Sequence, residues 1–167
     1  MTRRRWIGVS LSVLFVVTTI TINSAFTASN SVAVSGAGLF AQSIDANALK
    51  PATCGGLNLT SIVAGDGDLS GSNSGDLIVG GPSAQSISGA GGNDCILGGA
   101  GDDNIDGGNG NDVIFGAAGA DTLTGGNGND SLYGGDGDDS LDGGKRTDLC
   151  FGESGTDSFA GCETESP

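Results

Sequence analysis

Nine aspartates recur on a nine-residue grid, and carboxylates repeated at fixed spacing are the raw material of a hard-cation site. Asp76, Asp94, Asp103, Asp112, Asp121, Asp130, Asp139, Asp148 and Asp157 hold the sixth position of windows beginning at Gly71, Gly80, Gly89, Gly98, Gly107, Gly116, Gly125, Gly134, Gly143 and Gly152. Only the window from Gly80 departs, with Gln85 in that place. Ca²⁺ takes about six to eight oxygen ligands and can draw them from Asp carboxylates and backbone carbonyls together, whereas Mg²⁺ dehydrates reluctantly and keeps its waters. A role in turns alone would accept Asn or Ser about as readily as Asp. The regular carboxylate therefore favours calcium.

Composition removes the competing chemistries. The chain has 167 residues with 20 Asp or Glu, 6 Lys or Arg and no His, for a formal net charge of −14. Without His there is no Ser-His or Cys-His pair and no imidazole zinc site. Such acidity repels nucleic acid and anionic membrane, so neither is expected as a partner. With every phased Asp assigned to metal, an enzyme is not expected either. The 33 glycines and 5% aromatics are poor material for an ordinary core, so something other than bulk burial must hold the chain together.

The elements that would position the carboxylates follow from the same grid. The eighth position reads Ile78, Ile87, Ile96, Ile105, Ile114, Leu123, Leu132, Leu141, Cys150 and Phe159. A strict apolar period of this kind signals a solenoid. The first six residues of each window, rich in Gly, Asn, Asp and Ala, suit a turn that exposes carbonyls. The last three would form a short strand whose eighth side chain points inward and whose seventh and ninth point outward. Two windows then make one coil of eighteen residues, and aspartates two windows apart stack as Asp76/Asp94, Asp94/Asp112, Asp103/Asp121, Asp112/Asp130, Asp121/Asp139, Asp130/Asp148 and Asp139/Asp157. Stacked carboxylates about 5 Å apart would repel by about 3 kcal/mol per pair at an effective dielectric near 20, which a divalent ion must offset.

Segments such as Gly98-Gly99-Ala100-Gly101-Asp102-Asp103-Asn104-Ile105-Asp106, and the next nine from Gly107 to Phe115, resemble the glycine-rich nonapeptide of the RTX, or haemolysin-type calcium-binding, family. The resemblance spans residues 71–160, with a blurred extra window from Ile62 to Ser70. It implies an all-β fold, a right-handed parallel β-roll or β-helix solenoid, with calcium between stacked turns. Gln85 lacks the charge for a strong site, and Lys145 and Arg146 bring two cations to the turn of Asp148, so about five to seven ions are expected.

The outer positions alternate with an eighteen-residue period. One set carries Leu77, Cys95, Val113, Ser131 and Leu149 at position seven and Val79, Leu97, Phe115, Tyr133 and Phe151 at position nine; the other carries Ser86, Asn104, Thr122, Ser140 and Ser158, then Ser88, Asp106, Thr124, Asp142 and Ala160. One sheet face is thus apolar, and an apolar ladder marks either an interface with a protein or surface partner or a face covered internally. Residues 34–65, with Leu39, Phe40, Ile44, Leu49, Leu57, Leu59, Ile62 and Val63, are the expected cover, and Cys95 on that face could tether Cys54.

The chain divides into four parts. Arg3, Arg4 and Arg5 precede an uncharged stretch from Trp6 to Ile22, and Ser31-Val32-Ala33 is the best small-x-small cleavage site, so residues 1–33 read as a secretory signal peptide. An uncleaved signal anchor is the alternative. Residues 34–70 are a flanking or capping segment, 71–160 the repeat β-roll, and 161–167 a C-terminal cap and tail. Cleavage removes three Arg and no acid, leaving 3 basic and 20 acidic groups, or −17. Four cysteines in an exported chain favour two disulfides. Three pairings are possible, and Cys54–Cys95 with Cys150–Cys162 is the expected one, the second closing the exposed end of the roll. The expected function is that of a secreted, extracellular calcium-binding repeat protein with no membrane association after signal cleavage. The alternative is a cell-surface adhesive or ice-binding module using a flat sheet face, with calcium as scaffold, although only Thr122 and Thr124 lie on the polar face.

Overall fold

The eighth position of each window builds the interior. In a computed structural model, which describes residues 45–166, Ile78, Ile87, Ile96, Ile105, Ile114, Leu123, Leu132, Leu141 and Cys150 form one buried column, with Val63, Leu69, Phe159 and Cys162 packed at its ends. Each burial of such a side chain contributes about 1.5 to 3 kcal/mol. The expected signal peptide and the first part of the flanking segment lie outside the described residues. Among the described residues no helix is long and apolar enough to cross a membrane.

Among the described residues thirteen strands follow one another in chain order: β1 (Ser61–Ala64), β2 (Leu69–Ser70), β3 (Asp76–Val79), β4 (Ser86–Ser88), β5 (Cys95–Ala100), β6 (Asn104–Asn109) and β7 (Val113–Ala118), then β8 (Thr122–Asn127), β9 (Ser131–Asp136), β10 (Ser140–Lys145), β11 (Leu149–Ser154), β12 (Ser158–Ala160) and β13 (Thr164–Ser166). The odd strands make a seven-stranded sheet in order β1-β3-β5-β7-β9-β11-β13, and the even strands a six-stranded sheet in order β12-β10-β8-β6-β4-β2. All pairings are parallel, and the register steps by eighteen residues through the repeats: Cys95 lies beside Val113, Val113 beside Ser131, Asn104 beside Thr122. The fold is an all-β solenoid of stacked coils, a β-roll, as the grid predicts.

The strands are longer than the three residues the pattern suggests. From β5 to β11 each runs six residues, into the first three positions of the next window, which open on Gly in every case and have Ala117 in β7 and Glu153 in β11 where the others have a second Gly. The ladder continues there because the first glycine, without a side chain, lets the neighbouring coil approach, and the second residue then turns the chain at positive φ. Gly99 has φ +118, and Ala117 occupies the equivalent place at φ 83, a conformation that costs an L-residue roughly 1–2 kcal/mol.

The N-terminal cover is short and firmly fastened. Helix α1 (Ala46–Leu49) is capped by Asp45, whose carboxylate accepts the Asn47 N–H. Asn47 donates to the Leu59 carbonyl at 2.7 Å and accepts from the Leu59 N–H at 2.9 Å, while Lys50 donates to Asn47 and to the Leu57 carbonyl. Ala46, Cys54 and Leu59 are thereby held against Leu77 and Cys95 of the odd sheet, with Leu57, Val79, Leu97, Val113 and Phe115 around them. Of the expected cover, Leu57, Leu59 and Ile62 pack on the N-terminal half of the apolar face, whereas Leu49 is exposed and Val63 joins the inner column instead. Further along, Phe115, Tyr133 and Phe151 stack with ring centroids 4.8 and 5.0 Å apart, and Leu149 stays exposed. Both expected disulfides are present, Cys54–Cys95 and Cys150–Cys162.

Candidate metal centre

Eighteen-residue coils place the sixth-position aspartates in two buried columns, one per side of the roll. Asp76, Asp94, Asp112, Asp130 and Asp148 form the first; Gln85, Asp103, Asp121, Asp139 and Asp157 form the second. All except the half-buried Asp157 are buried, Asp76, Asp94 and Asp148 completely. The columns arise because position six closes the turn immediately before the strand, one residue ahead of the parallel ladder that fixes the stacking.

Each carboxylate reaches back one coil. Asp94 Oδ1 accepts the backbone N–H of Asp76 at 2.8 Å, Asp112 that of Asp94 at 2.8 Å, Asp130 that of Asp112 at 2.8 Å and Asp148 that of Asp130 at 2.8 Å. In the second column Asp103 accepts from Gln85, Asp121 from Asp103, Asp139 from Asp121 and Asp157 from Asp139, at 2.7 to 3.0 Å. A turn-forming role accounts for this one oxygen.

The other oxygen is left over. Oδ2 of Asp94, Asp103, Asp112, Asp121, Asp130, Asp139, Asp148 and Asp157 is buried with no hydrogen-bond partner among the described residues. Such groups cost about 1–3 kcal/mol each, and more when charged, so eight in two columns demand a counterpart. The surroundings offer more acceptors. The point a side chain on Gly98 would occupy lies 2.6 Å from Asp103 Oδ2 and 2.7 Å from the carbonyl oxygen of Gly116, one coil on; at Gly107 the corresponding distances are 2.6 Å to Asp112 Oδ2 and 2.8 Å to the Gly125 carbonyl. A buried carboxylate oxygen beside a carbonyl from the next coil is a donor set suited to Ca²⁺. Among the described residues no three His, Cys, Asp or Glu side chains converge on one point, so backbone carbonyls must complete any such site.

The electrostatics express the same demand. Burial pushes the carboxyls of Asp94 and Asp112 up to about 7 and those of Asp121 and Asp130 up to about 6, against the pull of the backbone hydrogen bond and with added repulsion from column neighbours. Asp103, Asp139 and Asp148 are raised for the same first reason. In the absence of a cation these groups favour holding protons.

The column ends differ from the middle. Asp76 has no orphan: its Oδ2 accepts the Ser72 N–H at 2.6 Å and its Oδ1 accepts the Ser61 hydroxyl. Gln85 is likewise satisfied, since its Oε1 accepts the Gly81 N–H at 2.9 Å and its Nε2 donates to the carbonyls of Gly65 and Gly67. A neutral amide with its own donors thus closes the second column without a cation. Lys145, expected to disturb the Asp148 turn, instead donates to Asn127 Oδ1 at 2.9 Å, extending an outer ladder in which Asn127 donates to Asn109.

Two features escaped the sequence pattern. At position five, Asn93, Asn111 and Asn129 accept backbone N–H groups of the next coil, as do Asp102 and Asp138; their recurrence two windows apart was the available signal. Glu163, which belongs to no sixth position, accepts the backbone N–H of Asp148 at 2.6 Å.

The RTX calcium-binding nonapeptide repeat family matches the chain in four overlapping copies, over residues 70–105, 88–123, 115–149 and 124–159. No curated protein and no solved structure gives a significant match.

Proposed function

Because the chain belongs to the family of RTX calcium-binding nonapeptide repeats, we propose that it is a secreted, non-enzymatic calcium-binding protein whose β-roll is stabilised by Ca²⁺ held between stacked turns. The observation that carries this function is the set of eight buried carboxylate oxygens without a partner. Six stacked pairs have such an oxygen on both members: Asp94/Asp112, Asp112/Asp130, Asp130/Asp148, Asp103/Asp121, Asp121/Asp139 and Asp139/Asp157. These are the proposed ligand pairs, completed by carbonyls of the glycine turns. Asp76, whose oxygens are both engaged by Ser61 and Ser72, would contribute less. That number of pairs falls within the expected five to seven ions.

An extracellular setting is supported by the arginine-led apolar N-terminus and by the disulfides, which persist in oxidising compartments. Extracellular calcium would also supply the ion as the chain leaves the cell, so that folding follows export. Equilibrium dialysis of the chain beginning at Val34 against Ca²⁺ and Mg²⁺ tests the proposal. About five to seven Ca²⁺ per chain, with Mg²⁺ failing to compete at equal concentration, is expected; no retained calcium would refute it.

A further inference from the structure

The periodic grid does not stop at Ala160. Gly161 stands nine residues after Gly152 and so opens an eleventh window. Its sixth position would be Ser166, yet the chain enters β13 early. Thr164 lies beside Leu149, a seventh-position residue, and its N–H donates to the Asp148 carbonyl at 3.2 Å. Within the repeats the same bond joins a seventh-position N–H to the sixth-position carbonyl one coil earlier, as from Val113 to Asp94 and from Ser131 to Asp112. Thr164 therefore acts as a seventh-position residue, and Glu163 before it acts as the sixth. The last turn is three residues shorter than those between the repeats: Asp148 to Glu163 spans fifteen residues instead of eighteen.

Three details let a shortened turn work. Gly161 adopts φ +59, which bends the chain sharply. Cys162, next to Glu163, is bonded to Cys150 at the end of the inner column. Glutamate carries one methylene more than aspartate and still brings Oε2 to the Asp148 N–H at 2.6 Å, the contact that the column aspartates from Asp94 to Asp157 make to the coil before them.

An independent observation points into this turn. Asp148 is completely buried and its Oδ2 has no partner. The point a Gly143 side chain would occupy lies 2.8 Å from that oxygen and 2.5 Å from the carbonyl oxygen of Gly161, which belongs to the shortened turn. The same pairing, an orphan carboxylate oxygen beside a glycine carbonyl one coil on, occurs at Gly98 and Gly107.

We propose that Gly161-Cys162-Glu163 completes one further calcium site outside the nonapeptide repeats, with Asp148 Oδ2, the Gly161 carbonyl and the Glu163 carboxylate among its oxygen donors. The proposal rests on the calcium-binding function above. It makes the Cys150–Cys162 bond a positioning element for a metal ligand, so that its reduction weakens this last site first.

The test compares calcium stoichiometry by titration calorimetry for the full secreted chain and for its Glu163→Gln, Glu165→Gln and Cys162→Ser variants. Glu163→Gln and Cys162→Ser are each expected to bind one ion fewer than the wild type, and Glu165→Gln, on exposed β13, the same number. Equal stoichiometry for Glu163→Gln and wild type would overturn the proposal, while a wild type that bound no calcium would overturn the function on which it rests. A second measurement needs no folding-sensitive variant. The chain has three glutamates, Glu153, Glu163 and Glu165, so ¹³Cδ-glutamate labelling yields three carboxyl resonances. With Ca²⁺ held at saturation for the repeats and raised further, the Glu163 signal should shift to its bound position while the Glu165 signal does not. A Glu163 signal that moves no more than the Glu165 signal across this titration would refute its role as a ligand.

Discussion

Asp130 Oδ1 accepts the backbone N–H of Asp112 at 2.8 Å, eighteen residues away in sequence and one coil away in space, while Asp130 Oδ2 meets no donor. The first oxygen builds the roll and the second asks for a cation. Dividing one side chain between structure and binding means that substitutions can separate the two roles.

Asp112→Asn separates them most cleanly. The amide oxygen can keep the bond to the Asp94 N–H, and the amide nitrogen supplies a donor where Oδ2 had none. In chelator the variant should be more stable than the wild type by about 1–2 kcal/mol, since a buried unsatisfied acceptor has been removed. In saturating Ca²⁺ it should be less stable and bind fewer ions, because the pairs with Asp94 and Asp130 both lose a charge. The residual β signal in chelator and urea unfolding in saturating Ca²⁺ together check the change of sign.

Gly98→Ala and Gly56→Ala form a contrasting pair. A Cβ on Gly98 would lie 2.6 Å from Asp103 Oδ2 and 2.7 Å from the Gly116 carbonyl, whereas one on Gly56 would meet nothing within 4 Å. The first should cost about 1–3 kcal/mol or more, as expected for overpacking against backbone, and should lower calcium affinity. The second should change neither. Thermal melting in calcium compares them directly.

Acidity should act in opposite directions on the free and loaded protein. The carboxyls of Asp94 and Asp112 are raised to about 7 and those of Asp121 and Asp130 to about 6 by burial, above the value near 3.9 of an unfolded chain. The folded, calcium-free state therefore binds more protons than the unfolded one, and lowering the pH stabilises it. That contribution is complete below about pH 4 and is lost as the pH rises through about 6 to 7. Calcium competes for the same oxygens, so its affinity should fall over the same interval. Circular dichroism in chelator at pH 5 and pH 8 checks the sign, with the stronger β signal expected at pH 5.

Cys54 and Cys95 join segments separated by 41 residues, and the chain-entropy relation assigns such a loop about 4 kcal/mol. Replacing both by Ser should lower stability by up to that amount. It should also free the cover, exposing Leu77 and Leu97 beneath Ala46 and Leu59. Increased binding of an apolar dye at the odd sheet, with calcium stoichiometry unchanged, is the expected signature.

Much of this architecture was legible from the nine-residue grid, because a solenoid repeats one local solution and each position meets the same environment in every coil. The inner column from Ile78 to Cys150, the two aspartate columns and the apolar odd face all follow from phase alone. Both disulfides were legible because Cys95 and Cys150 sit in phased positions with defined directions. The ends were not, since Ser61 and Glu163 reach Asp76 and Asp148 across fifteen residues instead of eighteen. A shortened turn leaves the grid while keeping the contact. Strand length differs for a related reason: the opening glycine of each window reads as a turn by composition, yet its lack of a side chain is what lets the ladder continue between coils. The orphan oxygens were beyond composition altogether, because they depend on which of two equivalent carboxylate atoms meets the neighbouring coil.

Circular dichroism of the chain beginning at Val34, followed as Ca²⁺ replaces chelator at neutral pH, tests the central claim most directly. With eight buried carboxylate oxygens unpaired, the metal-free chain should be largely disordered, and β signal should appear cooperatively because adjacent sites share a turn. A full β signal already present in chelator, unchanged by calcium, would contradict the account.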